Sequence, residues 1–157
     1  MTHRTIGSLP TGEPVDVHVL TNASGASAHI LTYGGIIQKL CVPDRDGRLD
    51  DVVLGFDDLA PYLAGHPFFG AITGRIAGRV TGGIITVEGK ENALVCNDGR
   101  NHLHGGLKGL DKRLWAAEPM TRSDGCQSLR LTYRSPDGEE GYPGTIDIAV
   151  TYTLTEA

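Results

Sequence analysis

No stretch of this chain approaches the roughly 18 consecutive apolar residues of a membrane helix. Its opening, MTHRTIGSLPTGEPV, has no apolar core of signal-peptide length. A soluble protein of a reducing compartment, the cytoplasm, is therefore expected. There is no basic run: 14 Lys+Arg stand against 19 Asp+Glu for a net charge of −5, which argues against a nucleic-acid partner or an anionic membrane surface. Cysteine is scarce. Cys41, Cys96 and Cys126 are far apart, form no CxxC pair, and read as buried free thiols rather than zinc ligands or a redox dithiol. Internal repeats, low-complexity segments and linkers are absent. The 22 glycines and 8 prolines stay below the roughly 25–30% that marks disorder and fall as turn punctuation. At 157 residues one domain is expected, since a chain of this size buries roughly 68–70% of its unfolded surface.

What is present is a period of two. Ile146, Ile148, Val150, Tyr152 and Leu154 alternate with Thr145, Asp147, Ala149, Thr151 and Thr153, as a half-buried strand requires. Leu129, Leu131 and Tyr133 alternate with Arg130, Thr132 and Arg134, and Val15, Val17 and Val19 with Asp16, His18 and Leu20. Turn clusters separate these runs at Asn22–Gly25, 43–47, 88–90, 123–125 and 135–144. Only residues 57–65, DDLAPYLAG, have a helical look. The pattern predicts an all-β, antiparallel sandwich or barrel. The last strand pattern runs to the final residues, LTEA, so an unpaired edge open to a partner is expected there.

The stretch NHLHGG, Asn101–Gly106, admits three readings. If it is extended, His102 and His104 share a face and make a metal clamp. No carboxylate follows before Asp111, however, and Lys108 stands where a ligand is wanted. The alternatives are a plain turn and the polar wall of a small-molecule site. HPFFGAITGRIAGRVTGG, residues 66–83, supplies Arg75 and Arg79 without the GK[ST] ending of a phosphate loop. Both are either solvated or forks for vicinal hydroxyls. Asp111, Lys112, Arg113 and Trp115 read as a surface strand with a core Trp. Glu139 and Glu140 read as a solvated turn pair that points apart, which suits a two-carboxylate glycosidase poorly.

Five segments in order, YGGIIQKLCVPDRDGRLDDVVLGFDDL, FFGAITGRIAGRV, ITVEGKE, NHLHGGLKGLDKRLW and SPDGEEGYPGTIDIAVTYTLT, resemble the aldose 1-epimerases, or galactose mutarotases. The resemblance runs over nearly the whole chain. It implies a supersandwich of the galactose mutarotase type, of which residues 1–157 are the N-terminal portion of a single domain. It further implies acid–base interconversion of the α and β anomers of free hexoses such as glucose and galactose, with no cofactor and no metal. Family residues that hold the sugar fall on Arg79 and His104. His104 faces substrate in a supporting role, Gly105 and Gly106 let backbone approach closely, and His102 stays a turn or supporting residue. Gly78 stands where many relatives carry a sugar-binding asparagine.

The family's general acid, a histidine in an Asn-His segment, and its general base, a late glutamate, have no counterpart here, and no histidine follows His104. The chain alone is therefore expected to bind sugar without turning it over, and to associate with a C-terminal half that supplies the pair. The alternatives are a relative acting on hexose 6-phosphates and a non-catalytic sugar-binding half of a split enzyme.

Overall fold

Residues 1–156 are described by a computed structural model. The first third of the chain folds as an antiparallel meander of five strands. They are β1 (Thr2–Ser8), β2 (Pro14–Thr21), β3 (Ser27–Leu31), β4 (Ile37–Pro43) and β5 (Leu49–Asp51), paired in that order. A short helix, α1 (Leu59–Ala64), follows. Two small ribbons come next. β6 (Arg79–Val80) pairs with β9 (His102–Leu103), and between them β7 (Ile84–Val87) and β8 (Lys90–Ala93) form a hairpin. Its two turn residues both have positive φ, Glu88 at 51° and Gly89 at 78°, which matches the right-handed strand twist of a two-residue hairpin. The chain closes with a second antiparallel sheet, β10 (Ala116–Thr121), β11 (Gln127–Ser135) and β12 (Ile146–Leu154).

The two large sheets pack face to face. In β11 and β12 the alternation read from the sequence sets the register: Leu129 pairs with Tyr152, Leu131 with Val150 and Tyr133 with Ile148. These side chains meet Leu20, Ile30, Leu110 and Trp115 in one apolar cluster. Each fully buried leucine or isoleucine there contributes about 1.5–3 kcal/mol relative to exposure. The Tyr152 hydroxyl crosses the gap to donate to the Gly35 carbonyl at 2.8 Å.

Strand β2 departs from the half-buried expectation. Val15 and Val17 are buried on one face and His18 and Leu20 on the other. The meander is a middle layer, with α1 and its loops covering one side through Leu59 and Tyr62 and the second sheet covering the other. The cysteines also divide: Cys126 is buried, Cys41 partly so, and Cys96 is exposed, all three free. Among the described residues no helix is long and apolar enough to cross a membrane.

Burial leaves a pH signature. His18, His29 and His66 are held below the usual 6.5, desolvation being the first cause at each, helped by His3 at His18 and by Lys39 at His29. Both ring nitrogens of His66 and Nδ1 of His18 are buried without a partner. Above about pH 6.5 these imidazoles are neutral folded or unfolded and add nothing; below it the unfolded chain binds more protons, so stability falls. The thermal midpoint is expected to drop by several degrees between about pH 7.5 and about pH 5, with the slope shallower in His18→Gln. A flat profile rejects this account.

Candidate functional site

The β6–β9 ribbon joins the two sequence stretches that carry Arg79 and His104. Arg79 lies opposite Leu103, and Val80 opposite His102. One residue beyond the ladder, the His104 amide donates to the Gly78 carbonyl at 3.0 Å, and the Gly78 amide donates to His104 Nδ1 at 3.1 Å. With Nδ1 accepting, a neutral His104 carries its proton on Nε2, which is left as a donor. The Phe68 ring packs 4.6 Å from the imidazole, and Lys112 Nζ lies 5.4 Å from the Phe68 centroid. Neither contact is visible in the sequence, because Phe68 holds this position through a left-handed backbone, φ 60°.

His102 and His104 do not share a face. His104 leaves the strand with φ 50°, so the geometry a metal clamp requires is lost. His102 turns inward and is fully buried. Its Nδ1 sits 2.7 Å from the Val95 carbonyl and so donates; its Nε2, 2.7 Å from the Tyr142 hydroxyl, accepts. Burial raises the Tyr142 phenol above its ordinary range. With both nitrogens engaged, His102 is a core connector between β9 and the 135–144 turn. Among the described residues no group of three or more His, Cys, Asp or Glu is placed to hold a metal.

Arg79 is half exposed, and among the described residues its side chain makes one hydrogen bond, from Nε to Asp98 Oδ2 at 2.6 Å. That hydrogen bond and the guanidinium charge hold the Asp98 carboxyl below the usual carboxylate range. Asn97 next to it stitches the turn to the histidine loop. Its side-chain amide donates to the Leu103 and Gly106 carbonyls, each at 3.0 Å, while its Oδ1 accepts from the Leu103 amide at 2.7 Å. Asp98 and Asn97 escaped the sequence reading because NDG is an ordinary turn signal.

Several sequence expectations are corrected here. Arg75 is neither solvated nor open to a ligand. It donates to Ser135 Oγ at 2.9 Å, to the Ser135 and Pro136 carbonyls at 3.1 and 2.8 Å, and to the Pro143 carbonyl at 3.2 Å, and it lies over the Tyr142 ring. Leu110–Lys112 forms a 3-10 turn, not a surface strand. Asp111 is buried there and holds Lys112 at 2.7 Å. Trp115 is core, as read from the sequence, with Nε1 donating to the Leu110 carbonyl at 3.2 Å. The Glu139–Glu140 pair is partly buried and bonded, not solvated. Glu139 accepts from the Tyr133 and Ser135 hydroxyls at 2.6 and 2.5 Å and from Arg113 Nη2 at 2.9 Å. Burial first, and then this bond to Glu139, push the Tyr133 phenol up to about 12. Glu140 accepts from the Leu107 and Lys108 amides at 2.9 and 3.0 Å.

The glycine pair also serves the chain itself. A Cβ on Gly105 would stand 1.6 Å from the Gly74 carbonyl oxygen, and one on Gly106 would stand 2.2 Å from Glu140 Oε2. The close approach is of backbone to backbone and to a carboxylate that caps the loop. Gly78, at φ 99°, faces open space, with nothing within 4 Å of a Cβ built there. Two grooves, of about 650 and 610 Å³, are lined by Arg130, Arg134 and Asp147 and by Lys108, Lys112 and Arg113 respectively, among others. Neither includes Arg79 or His104.

The sequence model of the family described as aldose 1-epimerase matches residues 16–157. Galactose mutarotase of Sus scrofa is 45% identical over 154 residues, covering 98% of this chain and 44% of that protein. The Homo sapiens galactose mutarotase is 44% identical over the same shares of each chain. The crystal structure of galactose 1-epimerase from Lactobacillus acidophilus superposes with a TM-score of 0.85 at 29% identity, over 99% of this chain and 44% of that one. The chain thus spans less than half the length of the relatives it matches.

Proposed function

This chain belongs to the aldose 1-epimerase family, and from that premise we propose that it forms the sugar-holding wall of an enzyme interconverting the α and β anomers of free hexoses, glucose or galactose, with Arg79 and His104 as the residues that bind the sugar. The observation that carries this reading is the β6–β9 ribbon, which brings the two sequence stretches together and leaves a free donor on each. These are the terminal nitrogens of Arg79, with Nε already engaged, and Nε2 of His104, with Nδ1 already engaged. Both sets suit hydroxyl and ring oxygens, which accept hydrogen bonds. An anomer exchange needs a base for the C1 hydroxyl proton and an acid for the ring oxygen, after which the ring opens, the C1–C2 bond rotates and closure reverses the transfers. That chemistry requires no cofactor. A cytoplasmic setting is in keeping with the three free thiols.

We assign binding to residues 1–157 and the two proton transfers to groups outside them, contributed by a C-terminal half that associates with this one. His104 is bound and oriented as a donor, and Glu139 and Glu140 are spent on Arg113, Tyr133, Ser135 and the Leu107 and Lys108 amides. Each missing proton-transfer group removes a factor of roughly 10²–10⁴. A hexose 6-phosphate is the second reading: of the cations lining the 610 Å³ groove, Lys112 and Arg113 are paired with Asp111 and Glu139, whereas Lys108 is in no ion pair among the described residues.

Polarimetry of freshly dissolved α-D-glucose tests the catalytic half of this proposal, and NMR titration with glucose and with glucose 6-phosphate tests the binding half. No acceleration over buffer is expected, together with glucose-induced shifts that vanish in Arg79→Ala and in His104→Ala. Acceleration that survives purification overturns the assignment of proton transfer elsewhere. Shifts that persist in both variants, or that appear only with the 6-phosphate, overturn the sugar wall.

A further inference from the structure

We propose that Asp98 is the positioning residue of Arg79, clamping Nε so that only the two terminal nitrogens of the guanidinium are presented to the bound aldose. The inference rests on the reading of Arg79 as a sugar ligand.

The geometry is specific. A carboxylate commonly grips a guanidinium with two oxygens on two nitrogens, which consumes the face a ligand would use. Here a single oxygen, Asp98 Oδ2, takes Nε at 2.6 Å. No hydrogen bond is made by Nη1 or Nη2 among the described residues. The clamp itself is anchored on both sides. Asp98 and Asn101 exchange backbone hydrogen bonds of 3.1 and 2.9 Å, and Asn101 Oδ1 accepts from the Gly82 amide at 3.2 Å. Asn97 ties the same turn to Leu103 and Gly106 on either side of His104. The turn is thereby fixed to the segment after β6 and to the segment after β9. Its carboxylate sets the direction of Arg79 relative to the loop that holds His104. Gly78, directly before Arg79, carries no side chain, and nothing stands within 4 Å of a Cβ built there.

A flexible arginine must lose its rotamer freedom on binding, and a clamp formed in the free protein removes that loss in advance. Asp98→Asn is therefore expected to weaken glucose binding about tenfold. The midpoint of thermal unfolding should barely move, since exposed ion pairs contribute little to stability. The test is an NMR titration of the full chain with glucose, following the Nε–H resonance of Arg79, in the parent, Asp98→Asn and Arg79→Ala. Loss of binding in Arg79→Ala, together with weakened binding and a displaced Nε–H resonance in a stably folded Asp98→Asn, supports the inference. Full affinity in Asp98→Asn while Arg79→Ala fails to bind overturns it and leaves the sugar-ligand reading intact. Weakened binding that tracks a lowered midpoint, with the Nε–H resonance unmoved, also overturns it, assigning Asp98 to the fold. Full affinity in Arg79→Ala overturns the reading beneath it.

Discussion

Gly105→Ala is expected to lower the free energy of unfolding by about 3 kcal/mol or more, combining left-handed strain with overpacking. The added methyl would lie 1.6 Å from the Gly74 carbonyl oxygen and 2.5 Å from its carbon, at a residue whose φ is 97°. Neither neighbour is a side chain that can swing aside. Relief requires the loop 101–106 to lift off the loop 74–79, which moves His104 away from the Gly78 amide. Sugar binding should therefore disappear even in the fraction that stays folded. Gly99→Ala is the control. Its φ is 60° with nothing within 4 Å, so it carries the backbone term alone, about 1–2 kcal/mol. Urea unfolding of the two variants isolates the contact. Equal losses would mean that the approach of the two loops does not hold the site together.

Glu139→Ala is expected to cost about 3 kcal/mol, because it leaves the Arg113 charge without its partner. The Glu139 side chain is 10% exposed and that of Arg113 is 24% exposed. The Tyr133 and Ser135 hydroxyls lose their acceptor in the same step. Ser135 also takes the Nε–H of Arg75, so the damage spreads to the 135–144 turn that packs against His102 through Tyr142. Arg113→Ala should be costly for the complementary reason. The double variant should fall well short of the sum, since removing both charges leaves neither unpaired. Additive losses in urea unfolding would show that the two side chains do not act as a pair.

The all-β class, the alternating strands β2, β11 and β12 and the hairpin at Glu88–Gly89 follow from the sequence by itself. Alternation and turn chemistry are local: a period of two survives any packing, and an EGK turn closes its own hairpin. The five family-like segments carry the same kind of information, which is why the family match and the fold agree with them. The roles of the polar residues are a different matter. Arg75 meets Ser135 across 60 positions of sequence, His102 meets Tyr142 across 40, and Glu140 caps Leu107 across 33. Read in its own window, Glu140 looks solvated, Arg75 solvated or free for vicinal hydroxyls, and His102 a turn or supporting residue. The second buried face of β2 exists only because another sheet lies over it, and the separation of His102 from His104 follows from one left-handed residue. The sequence determined the elements whose alternation and turn signals are local. Tertiary structure decided which polar groups are consumed inside the protein and which, such as the terminal nitrogens of Arg79, are left without a hydrogen bond among the described residues. A donor's fate depends on partners that the chain brings together only by folding.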